Sequence, residues 1–95
     1  MRLTPQEVKA IKQTFLEIFH EGEIYLFGSR TDSNLRGGDI DLYIHTQNKN
    51  NLLEKKVQFL ARVKDKIGDQ KIDLLLSKDT SRAIEQEAIE KGIKL

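Results

Sequence analysis

Two aspartates separated by a single residue open an apolar segment in the middle of the chain. Asp39 and Asp41 flank Ile40, and the sequence continues as the strand-like run LYI. Side chains alternate across a strand, so the two carboxylates lie on the same face. At about 5 Å apart they repel each other by roughly 3 kcal/mol at an effective dielectric constant of about 20. Such a pair is relieved by a shared proton or by a bound cation.

A hard divalent cation suits this pair, because Mg²⁺ takes carboxylate oxygens and shares its shell with water and substrate phosphates. An Asp-x-Asp on a strand presents two carboxylates to one or two such ions. The alternative is a solvated strand end, which is the usual explanation of an isolated Asp-x-Asp.

A third aspartate interrupts another apolar run, KIDLLL. Here Ile72 and Leu74 share one face, and Asp73 lies on the opposite face. If the two strands are neighbours in a suitable register, Asp73 joins Asp39 and Asp41 on one side of the sheet. The alternative for Asp73 is an edge strand with a solvated face.

The elements that must position these groups follow from periodicity and from capping signals. The first helix is predicted to be capped by Thr4 and to end at Gly22, and two strands follow at 23–27 and 39–46, with a Gly37-Gly38 turn before the second. A second helix is predicted at 51–67, ending at Gly68, and a third strand at 71–76. The last helix is predicted to be capped among Asp79, Thr80 and Ser81 and to end near Gly92. The buried stripes are predicted to contain Val8, Ile11, Phe15, Ile18 and Phe19 in the first helix, Leu53, Val57, Leu60 and Ile67 in the second, and Ile84, Ala88 and Ile89 in the third.

This order predicts an α/β (α+β) fold. We expect a small mixed sheet of three strands or slightly more, with helices packed on one face. The connection between the first two strands has about ten residues, which favours an antiparallel pair. The fully aliphatic faces of the strands are predicted to pack on the helices and to leave the acidic face uncovered.

Size and composition are those of one globular domain, residues 1–95. The chain has 33% charged residues, a net charge of +1 and no cysteine. No bulk charge favours nucleic acid, and no apolar run is long enough to cross a bilayer. The first residues lack the apolar core of a secretory signal. We therefore expect a cytoplasmic protein without membrane or direct nucleic-acid binding; an oligomer is possible.

The segment FGSRTDSNLRGGDIDLYI resembles the signature of the nucleotidyltransferase superfamily related to DNA polymerase β. That signature is an apolar strand, Gly-Ser, a spacer, and Asp-apolar-Asp-apolar, with a third carboxylate on a later strand. Asp73 of KIDLLL matches the third position. The length and the single domain resemble the minimal nucleotidyltransferases, antitoxin-type proteins usually paired with a HEPN-domain toxin.

The resemblance implies roles for individual residues. Gly28 and Ser29 would bind the triphosphate of the nucleotide, where glycine allows close approach and an amide at a helical turn attracts anions. Asp39, Asp41 and Asp73 would be the catalytic residues and would hold one or two Mg²⁺ ions. Arg30 either contacts phosphate or forms a surface ion pair.

The resemblance further implies a Mg²⁺-dependent enzyme that moves a nucleotide, AMP from ATP or another NTP, onto a hydroxyl of a partner protein. A HEPN toxin would be that partner, and its AMPylation would silence it. The alternative is a binding module without activity that neutralises the toxin by contact. The chain offers no additional domain for an acceptor, which favours an acceptor delivered by another protein.

Overall fold

The described part of the chain folds into helices that are interspersed with strands. The computed structural model describes residues 3–31 and 38–95, apart from the side chain of Ser29, and within these residues it contains three α-helices and four β-strands. In chain order they are α1 (Pro5–Phe19), β1 (Glu23–Phe27), a 3₁₀ turn (Gly28–Thr31), β2 (Ile40–His45), α2 (Leu52–Ile67), β3 (Ile72–Leu76), α3 (Ala83–Lys91) and β4 (Ile93–Lys94). Gly37, part of the predicted turn before β2, lies outside the described residues.

The start of α1 is fixed locally, as predicted. Thr4 and Glu7 form a reciprocal capping box, in which the Glu7 amide donates to Thr4 Oγ1 at 3.1 Å and the Thr4 amide donates to Glu7 Oε1 at 2.8 Å. The predicted end at Gly22 is wrong. His20 takes the left-handed conformation, with φ 65°, and caps the helix at Phe19. Gly22, with φ 100°, belongs to the bend that leads into β1.

The four strands form one mixed sheet in the order β3-β2-β1-β4. β1 and β2 are antiparallel, as the short connection predicted, and α2 carries the chain across to β3, which is parallel to β2. β4 pairs antiparallel with β1 and was not predicted. It has only two residues, too few for a period-2 pattern to indicate a strand. The predicted α/β sheet of slightly more than three strands is therefore confirmed.

One face of the sheet carries the hydrophobic core. Ile40, Leu42 and Ile44 of β2 are fully buried against α1 and α2, as predicted. The predicted stripe of α2 is partly wrong, because Leu53 and Val57 are 75% and 60% exposed. Phe59 and Val63 are buried instead. The edge-to-face contact between the rings of Phe59 and Phe19, 6.2 Å between centroids, is consistent with this rotation of α2.

The opposite face is not fully uncovered, because α3 lies over its β1–β2 part. Tyr43 is completely buried there, and its hydroxyl donates to Glu85 Oε1 at 2.8 Å. The predicted orientation of α3 is correct for Ala88 but wrong for Ile84 and Ile89, which are 44% and 38% exposed. The buried side of α3 instead carries Glu85 together with Ala88. The predicted cap among residues 79–81 is also displaced, since the helix begins after Arg82.

A lysine ties together the C-terminal ends of β2 and β3. Lys49 Nζ donates to the carbonyl oxygens of Thr46 at 2.6 Å and Ser77 at 3.0 Å, and to Ser77 Oγ at 2.7 Å. These bonds join the chain segments that follow the two parallel strands. The register of the β2–β3 ladder determines which acidic side chains meet at the other end of the strands.

Candidate active site

The parallel register of β2 and β3 places Asp41 opposite Asp73. On its other side, Asp41 is opposite Phe27 of β1. The two carboxyl groups therefore stand side by side on the α3 side of the sheet, close enough to share a hydrogen bond when one is protonated. The sequence did not establish that the strands of Asp41 and Asp73 are neighbours. In the structure they are, and the two aspartates lie opposite each other.

Burial raises the pKa of the Asp41 carboxyl above its ordinary value, and the negative charges of Asp73 and Asp39 raise it further. The ammonium of Lys71 acts in the opposite direction but does not cancel these effects. In the absence of a cation, this pair of strands thus holds a carboxylate that resists ionisation. A bound positive charge would reverse that preference.

Asp39 lies one residue before β2 and shares the face of Asp41, but its carboxylate has a different neighbour. Lys71 Nζ is 3.2 Å from Asp39 Oδ2, and both side chains are well exposed. Hydrogen bonding to Asp39 raises the pKa of Lys71. The structure brings Asp41 and Asp73 together and leaves Asp39 paired with a lysine at the mouth of the site.

Gly28 lies directly against the Asp41 carboxylate. Its φ is 75°, a conformation that favours glycine, and a Cβ atom at this position would overlap Asp41 Oδ2. Gly28 begins the 3₁₀ turn, in which Thr31 Oγ1 donates to the Gly28 carbonyl at 2.7 Å. The backbone of Ser29 follows in this turn, and its side chain lies outside the described part of the chain. The predicted helical turn after Gly-Ser is present beside the acidic pair.

Arg30 links the same turn to the rest of the fold. Its Nε donates to the Gly38 carbonyl at 3.2 Å, and Nη2 donates to Gln70 Oε1 at 3.2 Å. Gln70 in turn donates to Glu7 Oε2 at 2.6 Å. These contacts connect the turn to the start of β2 and to α1. The predicted contact of Arg30 with phosphate stays a prediction.

A cleft of about 420 Å³ opens beside the acidic pair. Asp41 and Asp73 supply its negative charge, and Lys56 of α2 supplies a positive one. The remaining lining side chains are apolar: Phe27, Leu60, Ile72, Leu74, Leu75 and Ile84. A concave, mostly apolar site with a few charged groups is the usual form of a small-molecule site.

Glu85 is a residue of this region that the sequence analysis missed. It is fully buried, and its Oε2 accepts from the amides of Lys78 at 3.2 Å and Asp79 at 2.9 Å. Together with the Tyr43 hydroxyl, these donors hold the loop after β3 and the start of α3. An acidic residue in the first turn of a helix is ordinary, so the sequence carries no signal that would have singled out Glu85.

The fit to a divalent cation is partial. Asp41 and Asp73 form the kind of carboxylate pair that Mg²⁺ prefers. Within residues 3–31 and 38–95, no group of three or more acidic or histidine side chains is arranged to hold a metal ion. Asp39, the remaining aspartate of the motif, is paired with Lys71. A two-carboxylate site fits the arrangement directly, and a third ligand from Asp39 requires that ion pair to open.

Over the described ranges, the helices are too short or too polar to span a membrane. Comparison with curated proteins and comparison with solved structures both give no significant match. Comparison with protein families gives one, to the family described as Polymerase beta, Nucleotidyltransferase, over residues 9–95. That range contains β1, the Gly28–Thr31 turn and the strands that carry Asp41 and Asp73. The chain therefore belongs to the polymerase beta nucleotidyltransferase family.

Proposed function

We propose that this protein is a Mg²⁺-dependent nucleotidyltransferase that moves AMP from ATP onto a hydroxyl of a partner protein, as the antitoxin of a HEPN toxin. Membership of the family supports nucleotidyltransferase activity. One observation carries the proposal further: the acidic pair Asp41–Asp73 stands against the Gly28 turn at the wall of an open cleft.

The reaction needs alignment and charge compensation more than covalent chemistry. The acceptor oxygen forms a bond to the α-phosphorus of ATP, and the bond from that phosphorus to the bridging oxygen of the β-phosphate breaks. The electron pair leaves with pyrophosphate, and the hydroxyl proton passes to a carboxylate. When bound, a divalent cation would supply positive charge beside the phosphates.

The position of each residue supports a different role in this reaction. Asp41 and Asp73 would hold the cation, and Asp73, the more exposed of the two, would accept the proton of the attacking hydroxyl. Gly28 would let the phosphates approach the backbone, since it carries no Cβ at the point where the turn meets Asp41. Asp39 would join as a third ligand after releasing Lys71.

The partner protein and the choice of ATP rest on the resemblance to minimal nucleotidyltransferases. The motif that carries this resemblance runs from Phe27 to Ile44 and continues at Asp73. A HEPN toxin bearing an acceptor hydroxyl is the partner that this resemblance indicates.

A second function is favoured by the ion pair of Asp39 with Lys71. A protein that neutralises its toxin by contact alone needs no free metal ligands, and three acidic groups gathered for a metal are not found among the described residues. This reading predicts that the toxin is neutralised without ATP.

The decisive experiment incubates the protein with a HEPN-type toxin, Mg²⁺ and ATP labelled at the α-phosphate. Label should appear on the toxin and should disappear with Asp41→Asn and with Asp73→Asn. Asp65→Asn, the same change at an exposed site on α2, is the matched control and should transfer label normally. Full neutralisation by Asp41→Asn without any label would instead establish the contact-only module.

A further inference from the structure

β3 forms one edge of the sheet. The strand order is β3-β2-β1-β4, and β3 pairs only with β2 among the described residues. It is an apolar strand, IDLLL, of five residues. Proteins usually blunt such edges with charges, bulges or a covering segment, because an open edge invites another strand.

The hydrogen bonds to β2 show which backbone groups of β3 face outward. The Lys71 carbonyl accepts from the Ile40 amide at 3.0 Å, and the Ser77 amide donates to the Ile44 carbonyl at 2.9 Å. Residues of a strand alternate in the direction of their backbone groups, so odd-numbered residues face β2. The amides and carbonyls of Ile72, Leu74 and Leu76 therefore face the open edge, where no described strand pairs with them.

Apolar side chains flank this edge. On α2, Leu53 and Val57 are 75% and 60% exposed, and on α3, Ile84 is 44% exposed. The 420 Å³ cleft is lined by residues of both α2 and α3, Leu60 and Ile84, so it extends around the edge of β3. The strand is thus bordered by apolar surface as well as by open backbone groups.

The charged side chains that line a second cavity along this edge are all positive. This cavity, of about 430 Å³, is lined by Leu52, Leu53 and residues 74–76, and its charged lining residues are Lys56, Lys78 and Arg82. It shares Lys56, Leu74 and Leu75 with the cleft that contains Asp41 and Asp73. An apolar, cationic strip therefore leads along β3 to the acidic pair.

We propose that the open edge of β3 is the docking strand for an extended, acidic-flanked segment of the protein that accepts the nucleotide. This inference rests on the proposed function, which it deepens. The segment adds a strand beside β3, with backbone bonds to Ile72, Leu74 and Leu76 and acidic residues near Lys56 and Lys78. Strand addition of this kind draws affinity from main-chain bonds and specificity from alternate side-chain pockets.

The added strand would also orient the acceptor. Its side chains alternate, and those on the α3 side of the sheet lie beside Asp73 and Leu75. A hydroxyl side chain at the register position next to Asp73 is then about one strand spacing, roughly 4.8 Å, from Asp73 and about two spacings from Asp41. A second copy of this chain that paired with β3 at the same positions would instead form an edge-to-edge dimer. The experiment below distinguishes this dimer from a bound segment of the acceptor protein.

The test uses amide hydrogen exchange, followed by NMR, on the full chain. The probe is a short synthetic peptide of alternating valine and tyrosine with acidic residues at both ends. On addition of this peptide, exchange at the amides of Leu74 and Leu76 should slow by at least about tenfold. The amides of Asp73 and Leu75, which face β2, serve as internal controls and should change little.

A peptide with the same side chains but with every backbone amide N-methylated is the matched control for strand addition. It should give no protection. Protection by the methylated peptide, or no protection by the unmodified one, overturns the proposal. Concentration-dependent protection of Leu74 and Leu76 without peptide also overturns it, because a second copy then occupies the edge.

A pair of variants connects docking to transfer. Leu53→Asp places an anion on the strip and should raise the KM for the acceptor protein by at least about fivefold without changing the Kd for Mg²⁺-ATP. Leu16→Asp is the matched control, since Leu16 is 52% exposed on α1. Transfer without edge protection overturns the docking strand and leaves the proposed function standing. Edge protection without transfer to any acceptor overturns the proposed function and leaves the docking strand standing.

Discussion

Gly28 lies against the carboxylate of Asp41, so that a Cβ atom at residue 28 would overlap Asp41 Oδ2. The Gly-Ser turn and the first carboxylate of the acidic pair are therefore parts of one surface. Residues thirteen positions apart in the sequence meet because β1 and β2 pair antiparallel, with Phe27 opposite Asp41.

Gly28→Ala should abolish binding of Mg²⁺-ATP and lower the free energy of unfolding by more than about 1–2 kcal/mol, because the overlap with Asp41 adds to the usual penalty for alanine at positive φ. Gly68→Ala is a matched control, because Gly68 has φ 93° and a Cβ there would contact nothing within 4 Å. It should lose only the part of the stability that comes from positive φ and should keep nucleotide binding. Isothermal titration calorimetry and thermal unfolding measure the two effects. Equal nucleotide affinity in both variants would contradict the assigned role of Gly28.

Asp41→Asn should stabilise the metal-free protein near neutral pH. The pKa of Asp41 is raised from its ordinary value of 3.8 by burial, by Asp73 and by Asp39. The folded state therefore binds the proton more tightly than the unfolded state, and stability is lost as the pH rises through the folded-state pKa. The neutral amide avoids this loss. We expect a gain of roughly 0.5–1 kcal/mol after solvent screening, which corresponds to about 2–8 °C in Tm.

Thermal unfolding in EDTA, at neutral pH and at about pH 3, measures this difference. The gain should vanish at the lower pH, where Asp41 is protonated in both states. Asp65→Asn, exposed on α2, should show no such gain. A metal-free Asp41→Asn protein less stable than the wild type at neutral pH would contradict the prediction.

Lys71→Ala should tighten the binding of Mn²⁺, used as a spectroscopic substitute for Mg²⁺. Lys71 Nζ is 3.2 Å from Asp39 Oδ2 and competes with a cation for that carboxylate. An exposed ion pair is weak because water and salt screen it, so the gain should be no more than about fivefold in Kd. Lys94→Ala removes a comparable pair with Glu23, at 3.5 Å, and should leave the Kd unchanged. An unchanged or weaker Mn²⁺ affinity of Lys71→Ala would contradict competition between Lys71 and the cation.

Glu85→Gln should destabilise the protein by about 1–3 kcal/mol, because a buried acceptor of several hydrogen bonds loses its charge. Burial alone would raise the pKa of Glu85, but the Asp79 amide, the Tyr43 hydroxyl and the Lys78 amide hold it below its ordinary value of 4.5. A lowered pKa means that this stability is present above 4.5 and is lost as the pH falls through the folded-state pKa.

Urea unfolding over the acidic range tests this, and the variant should lack that part of the pH dependence. Glu87→Gln, exposed on the same helix, is the control. A double-mutant cycle with Tyr43→Phe should give a coupling of about 1 kcal/mol. Additive effects of the two substitutions would mean that the bond between Tyr43 and Glu85 contributes no stability.

Patterns among neighbouring residues were sufficient to predict most of the helices and strands. The capping box at Thr4 and Glu7 and the short apolar run 23–27 each specify their structure within a few residues. The alternation that placed Ile40, Leu42 and Ile44 on one face and Asp41 on the other is also local, and the structure confirms it. Period-2 and period-3.6 patterns are properties of adjacent residues, so they can be read without the fold.

The rotation of α2 and of α3 about its own axis could not be predicted from neighbouring residues alone. In α2, the stripe through Leu53 and Val57 fits helical spacing about as well as the one through Phe59 and Val63, and packing in the core, including the contact of Phe59 with Phe19, buries the second. In α3, the pattern favoured two isoleucines, whereas the structure buries Glu85, since the hydroxyl of Tyr43 and two backbone amides satisfy it. Those partners lie on other elements, beyond the reach of any periodicity.

The sequence by itself singled out the candidate site residues: Asp39 and Asp41 at the start of one strand, a third aspartate on another strand, and a glycine-serine turn. Only the tertiary structure decided how they combine. The parallel register of β2 and β3 joins Asp41 to Asp73, while Asp39 meets Lys71 instead. The physical reason is that register is set by hydrogen bonds between strands distant in sequence. A shift of one residue there would move Asp73 to the opposite face and separate the pair.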